Sequence, residues 1–448
     1  MFRTILQNKD KNASKSRASD FILERGHRYL HPLQLRLDAL IDTRLVSTFY
    51  DLFMAILVFR HNRMGLLLSE LGGYICGLSH APAGTKRISN LLRCKKWSST
   101  LIDDFFFERS RERIKSLQSN GQRPLLLWDE SKIEKSESWF LEGLCSVESS
   151  KGKRLTKIRK GFYKPPTQRI CVPGFHWTAT LLSALGQTPS VCQMSWWTSR
   201  GKYQEVGTNI IFRMLKKLHK TIGSSVLHVL DRGYANAWTI EWMNEFKQDF
   251  LVRWKKTHLL CHSEKGTKQT HLLARSFKAV GRKMLRDNQR KISKYVTIAY
   301  TQVTHGDFKD KPLWLIIVRD KKSLQPPMYL LTSIAITNTR LAWEMCHSYM
   351  HRWNIEQTFR CSKAELGMES PRLWFWENRL KLLAIVALVY DFLLMLLRNW
   401  SHWIPLFLRH WCHRTGNRYR NASIPIYRLR LAISHVLYTA CCACQTSG

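Results

Sequence analysis

Tyr349, Arg352, Glu356 and Lys363 form the pattern Y-x2-R-x3-E-x6-K. At about 100° per residue, the last three fall at roughly −60°, −20° and −40° from Tyr349, so a helix carries all four in one arc of about 60°. One carboxylate framed by two cations and a phenol suits a site that handles metal ions and phosphates. The same spacing also describes a solvated helix face with an Arg–Glu pair at i,i+4. Two further carboxylates favour the first reading. Pro124-Leu-Leu-Leu-Trp128 ends in Asp129, and Val226–Leu230 ends in Asp231. Each run reads as a buried strand of a mixed or parallel sheet, where chemistry gathers at the carboxyl ends of strands. Either Asp alone is equally well explained as a turn or cap residue. With Glu356 they make a hard, oxygen-only ligand set for Mg²⁺ or Mn²⁺. Two such ions about 3.5–4 Å apart can activate a nucleophile and stabilise a leaving oxygen in phosphoryl transfer. Arg352 and Lys363 would also offset repulsion among three carboxylates, which otherwise raises their pKa values.

Asp129-x-Ser131, Asp231-Arg-Gly-Tyr234 and the Y-R-E-K pattern resemble the catalytic motifs of DDE transposases. The match is best to the bacterial insertion-sequence family that carries the Y-R-E-K signature and excises its element through DNA hairpin ends. These motifs span residues 124 to 363. The resemblance implies an α/β chain with a ribonuclease-H-like catalytic core, in which Asp129, Asp231 and Glu356 are catalytic ligands of two Mg²⁺ (or Mn²⁺) ions. It implies that Tyr349, Arg352 and Lys363 grip DNA phosphates near the cleavage point. The expected activity is cut-and-paste transposition: binding of terminal inverted repeats, cleavage and strand transfer into target DNA, by a homodimer holding paired ends. Two other classes compete. One is a non-catalytic DNA-binding relic or domesticated transposase; the other is a ribonuclease-H-like site-specific nuclease. Inverted repeats flanking the gene, bracketed by a short direct duplication, favour the mobile element.

Composition points to a polyanionic partner by a separate route. The 448 residues hold 71 Lys and Arg against 33 Asp and Glu, a net charge of +38, and the sequence pI is near 10.1. Such an excess is the footprint of a polyanion partner, usually nucleic acid, though a ribosomal-type or aggregation-prone basic protein shows it too; the resemblance implies double-stranded DNA. With 44% hydrophobic residues and 17 Trp the chain can build cores, which excludes a disordered basic tail. Met1 to Arg17 is polar and lacks an apolar signal core. Leu382 to Leu397 is apolar but short, and Asp391 interrupts it, so it reads as a buried core helix rather than a membrane span. The twelve Cys, including Cys441, Cys442 and Cys444, show no paired zinc-ligand spacing and read as reduced thiols. A cytoplasmic, nucleoid-associated protein with no membrane partner is expected.

The elements that must position these residues divide the chain into five. Residues 1–120 read as a helical DNA-end-binding domain. Arg36–Phe59 and Met64–Leu78 have helical spacing, and Ser98, Ser99 and Thr100 can cap a helix through Phe105–Leu117. Between them, Ile88, Leu91 and Leu92 would face a core while Lys86, Arg87, Asn90 and Arg93 face outward. That suits either a helix laid on DNA or an ordinary solvated basic helix. Residues 121–257 begin the catalytic core, with short apolar strands at Leu125–Trp128, Phe140–Val147, His176–Leu185, Val226–Leu230 and Phe250–Trp254 and a crossover helix at Glu205–Ile222. Within it lies a Gly- and Pro-containing loop, Lys151–Arg169, with eight basic residues and no acid; Lys157, Arg159 and Lys160 are its candidate DNA contacts. Glu356 lies 125 positions beyond Asp231, which calls for an insertion. Residues 258–325 are that basic, mostly β insertion subdomain, with strands at Tyr295–Val303 and Leu313–Val318. In the family a Trp of the insertion stacks on a flipped base; Trp254 and Trp314 are candidates, although each also reads as a core residue. Residues 326–396 complete the core with the Y-R-E-K helix. Residues 397–448 form a basic C-terminal region, expected to be helical, for dimerisation or DNA contact.

Overall fold

A computed structural model describes residues 2–59, 65–138, 140–150, 170–287, 292–320, 326–399 and 426–445. Five helices come first: α1 (Phe2–Asp38), α2 (Thr43–Val58), α3 (Leu68–Cys76), α4 (Ala81–Arg93) and α5 (Thr100–Ser119). The helical periodicity expected to run from Arg36 to Phe59 is broken after α1. Asp42 caps α2 there, its carboxylate accepting from Arg44 N at 2.8 Å. The Ser98–Thr100 cluster does begin α5, but Ser99 gives no side-chain cap; Ser98 Oγ and Thr100 Oγ1 bond each other at 2.6 Å instead.

Phe49, Leu52, Phe53 and Ile56 of α2 are buried. Tyr29 of α1 packs edge-on against Phe105 of α5, ring centroids 5.4 Å apart. Helices α3 and α4 cross at two glycines, and a Cβ on Gly84 would stand 2.3 Å from Gly72 O. Helix α4 buries Ile88, Leu91 and Leu92 and exposes Lys86, Asn90 and Arg93, as its spacing predicts. Arg87 departs from that expectation. It turns to α2 and pairs with Asp51 at 2.7 Å, so its guanidinium is already committed.

The second part is a twelve-stranded sheet. Its strands are β1 (Leu125–Glu134), β2 (Cys145–Glu148), β3 (Cys171–Ser183), β4 (Ser190–Trp197), β5 (Leu227–Leu230), β6 (Asp249–Arg253), β7 (Leu259–His262), β8 (Gly266–Gln269), β9 (Gly281–Asp287), β10 (Ile292–His305), β11 (Phe308–Asp320) and β12 (Met328–Thr332). The order is β2-β3-β1-β5-β6-β12-β11-β10-β7-β8, with β4 also on β3 and β9 on β10. Strand β3 is antiparallel to β1 and β4, whereas β5 is parallel to both β1 and β6. Helices α6 (Gly207–Ile222) and α7 (Ala237–Glu245) make the crossovers into β5 and β6, and α8 (Thr270–Arg275) follows β8. Leu125–Trp128 and Leu227–Leu230 are buried throughout, as strands covered on both faces must be. The five expected strands are present with shifted ends; Phe140–Val147 shortens to Cys145–Glu148. Strand β4 was not anticipated, because Gln193 and Ser195 interrupt its apolar run.

The inserted strands do not form a separate sheet. Strand β12 pairs with β11 on one side and β6 on the other, so the ladder runs unbroken from core to insertion. Trp254, at the end of β6, is 2% exposed, whereas Trp314 is half-buried against Tyr300.

A buried polar chain ties β1, β5 and α6 together. Trp128 Nε1 donates to His228 Nδ1 at 3.0 Å, which leaves the proton on Nε2 to donate to Gln248 Oε1 at 3.1 Å. Gln248 Nε2 in turn reaches His219 Nδ1 at 3.0 Å. A second proton on His228 would point at the indole N–H, a donor only. Burial lowers the His228 pKa to about 4, outweighing the Gln248 bond that raises it. Because the folded value lies below the ordinary 6.5, the folded state binds fewer protons than the unfolded one between the two. Stability is therefore full above about pH 6.5 and is lost as pH falls towards 4, by about 3 kcal/mol for this group at 1.36 kcal/mol per unit. Urea midpoints at pH 7 and 5 check this: His228→Gln should flatten the difference, and an unchanged slope would refute it.

Four helices follow: α9 (Thr339–Met350), α10 (Trp353–Ala364), α11 (Trp376–Asn399) and α12 (Ile426–Gln445). Helix α11 is long and apolar enough to cross a membrane, yet 94% of its most apolar window is buried inside the protein. Its Asp391 accepts from Tyr29 Oη at 2.9 Å and Val191 N at 2.8 Å, joining α1, β4 and α11.

Candidate active site

The four Y-R-E-K residues do not lie on one helix. Tyr349 sits in the last turn of α9, Arg352 is the N-cap of α10, and Glu356 and Lys363 are on α10. At the joint the backbone tightens to i→i−3 bonds: Arg352 N to Tyr349 O, Asn354 N to His351 O and Ile355 N to Arg352 O, each 3.0 Å. The continuous helix that the single 60° arc assumed is therefore interrupted at this joint.

The sheet completes the convergence. Asp129 lies in β1 just past the buried run, and Asp231 follows the last residue of β5. These neighbouring parallel strands deliver both carboxylates to one edge of the sheet. Arg352 then meets all three carboxylates. Its Nη1 donates to Asp129 Oδ2 at 2.7 Å, its Nη2 is bonded to Glu356 Oε1, and its Nε stands 3.8 Å from Asp231 Oδ1. Tyr349 Oη donates to the same Asp231 oxygen at 3.1 Å. Lys363 is half-buried, two turns beyond Glu356, about 10 Å further along the helix.

The electrostatics follow from this enclosure. Burial pushes the Asp129 carboxyl up to about 7, although Arg352 and the bond from Glu130 N pull it down. Burial and the Asp231 charge push the Tyr349 phenol up to about 12, so it stays a donor. Burial pulls the Arg352 guanidinium down, but Tyr349, Asp231, Asp129 and Glu356 outweigh it and the net shift is upward. Tyr234 forms an aromatic floor against Trp128, and its buried hydroxyl has no hydrogen-bond partner among the described residues.

Beside Asp231 opens a groove lined by Arg232, Arg253, Lys255 and Lys256, with Trp254 and Tyr329 and no acid. Sequence reasoning missed it, although Arg253-Trp-Lys-Lys256 carries its charge plainly. Lys86, Asn90 and Arg93 lie on exposed α4, on a separate element from the carboxylates. The basic loop holding Lys157, Arg159 and Lys160 lies outside the described residues, as do residues 400–425.

Three carboxylates are the right donors for Mg²⁺ or Mn²⁺, but their present arrangement does not fit one. Among the described residues no group of three or more His, Cys, Asp or Glu is placed to hold an ion. A guanidinium stands where the three meet.

Comparison with known proteins bears on this arrangement. Residues 209–392 match the transposase DDE domain. The match supports a DDE transposase, a family of metal-dependent nucleases and strand transferases. It takes in Asp231 and the whole Y-R-E-K segment, and it begins downstream of Asp129. Among solved structures, a piggyBac transposase synaptic complex with hairpin DNA matches at 12% identity and a TM-score of 0.42, over 90% of this chain and 73% of that one. No curated protein matches the chain.

Proposed function

We propose that this protein is the transposase of a bacterial insertion sequence, binding the element's terminal inverted repeats and moving it by hairpin-forming cut-and-paste transposition. The observation that carries the reading is the meeting of three carboxylates, from β1, the end of β5 and α10, at the carboxyl edge of a parallel strand pair. The strand arrangement, with antiparallel β4, β3 and β1 followed by parallel β5 and β6, supports a ribonuclease-H-like core. In this reading Asp129, Asp231 and Glu356 are the ligands of two Mg²⁺ or Mn²⁺ ions in the working complex, and Tyr349, Arg352 and Lys363 contact DNA phosphates. The groove of Arg232, Arg253, Lys255 and Lys256 carries the strand next to the scissile phosphate, where positioning and charge stabilisation do most of the catalytic work. A homodimer holding two ends completes the proposal.

The test is direct. The protein is incubated with duplexes bearing its element's end sequences and Mg²⁺, and the products are resolved on a denaturing gel. Hairpin-ended fragments are expected. Nicks or breaks without hairpins would assign a site-specific nuclease instead, and binding without any cleavage would assign a DNA-binding relic.

A further inference from the structure

The three proposed metal ligands face the three nitrogens of one guanidinium, Nη1 to Asp129, Nη2 to Glu356 and Nε to Asp231. We infer that Arg352 is the resident counter-ion of this site, that divalent cations enter only when it withdraws, and that a DNA phosphate is what draws it out. The inference rests on the reading of these carboxylates as metal ligands and adds how their loading is controlled.

Space is the first argument. Mg²⁺ needs oxygens at about 2.0–2.1 Å in near-octahedral array. Here the Asp129 oxygen lies 2.7 Å from a nitrogen and the Glu356 oxygen is bonded to another nitrogen of the same group, so the volume between them is filled.

Charge is the second. Three carboxylates against one guanidinium leave a net negative site, which a divalent ion would satisfy better than a single cation does. The guanidinium cannot leave by losing its proton, because the same acids stabilise its charged form. It has to move. Its side chain is 12% exposed, but Asp231 and Glu356 beside it are 36% and 31% exposed, so one side of the site meets solvent.

The competitor is the third. A phosphodiester offers a guanidinium the same paired oxygens as a carboxylate, in a charge-assisted and often bidentate contact. The cationic groove beside Asp231 brings such phosphates to the neighbourhood. A strand laid there can take Arg352 from Asp129 and Glu356, leaving three carboxylates without their cation. DNA and metal then bind with positive coupling, and the coupling is reciprocal.

The experiment titrates the metal-free, full-length protein with Mn²⁺ and follows the loss of the free-ion EPR signal, with and without a saturating random-sequence duplex. Without DNA, Arg352→Gln is expected to bind Mn²⁺ at least about tenfold tighter than wild type, or about 1.4 kcal/mol. The gain should vanish in Asp129→Asn/Arg352→Gln. The duplex should tighten wild type by a similar factor and Arg352→Gln little. Arg352→Lys, which keeps a charge but cannot face three carboxylates at once, should fall between and guards against a folding defect in the Gln variant. Equal Mn²⁺ affinity of wild type and both Arg352 variants without DNA would overturn the inference, as would a duplex that leaves wild-type affinity unchanged. Hairpin formation is not the readout. A transposition-inactive protein with this Mn²⁺ pattern would support the inference while refuting the proposed function.

Discussion

Asp129→Asn is expected to lower the single-turnover rate of DNA cleavage by about a thousandfold or more, while end binding in a filter or gel-shift assay changes by less than about threefold. The amide keeps the volume of the carboxylate and can still accept from Arg352 Nη1, now 2.7 Å from Asp129 Oδ2, so the fold has little reason to change. Under the proposed function, what it loses is the negative charge that would hold a divalent ion beside the reacting phosphate. Asp231→Asn and Glu356→Gln should do the same, and any two together should cost little more than one, because the three act as a unit. Nicking by any of the three at the wild-type rate would remove that residue from the site. Asp129 matters most in this set because it lies upstream of the segment matching the transposase DDE domain.

The second large effect concerns stability rather than chemistry. Asp391 is 1% exposed within α11, where it accepts from Tyr29 Oη and Val191 N and lies 3.8 Å from Arg109 Nε. Its charge also raises the pKa values of Arg113 and Arg398 against the burial that lowers them. Asp391→Ala would leave the Tyr29 phenol and the Val191 N–H without their acceptor and remove the counter-charge of Arg109, Arg113 and Arg398 at once. Breaking a buried charge network from one side costs about 3–5 kcal/mol. Asp391→Asn should cost less, because an amide oxygen can still accept from Tyr29 or Val191. Urea unfolding midpoints measure both; an Ala variant as stable as wild type would mean that the network contributes nothing.

The residues reveal some of this architecture and hide the rest for definite reasons. Leu125–Trp128 and Leu227–Leu230 announce themselves because a strand covered on both faces must be apolar throughout, and the first acid marks where the cover ends. The ends of α9 and α10 give no such sign. No Gly or Pro stands between Tyr349 and Trp353, so a periodic reading runs straight through a joint made only by three tightened hydrogen bonds. Arg87 shows a different limit. Amphipathic spacing says which way a side chain leaves its helix, but not that Asp51, 36 positions earlier, waits on the next one. The groove beside Asp231 is hidden for a similar reason: Arg253 and Tyr329 meet only because β6 and β12 pair across a long insertion.

That pairing has a mechanical consequence. Strand β6 is held by β5 on one side and β12 on the other, and the groove is built across the second seam, with Arg253 and Lys255 from one bank and Pro327 and Tyr329 from the other. In the proposed complex, a strand of DNA gripped there would be anchored to the same hydrogen-bonded lattice that leads to Asp231. To slide the phosphates relative to that carboxylate, the protein would have to shear backbone ladders, not merely rotate side chains. In the proposed complex the groove would therefore act as a clamp built in one piece with the sheet that leads to Asp231, and the freedom to adjust would be left to Arg352 at its joint.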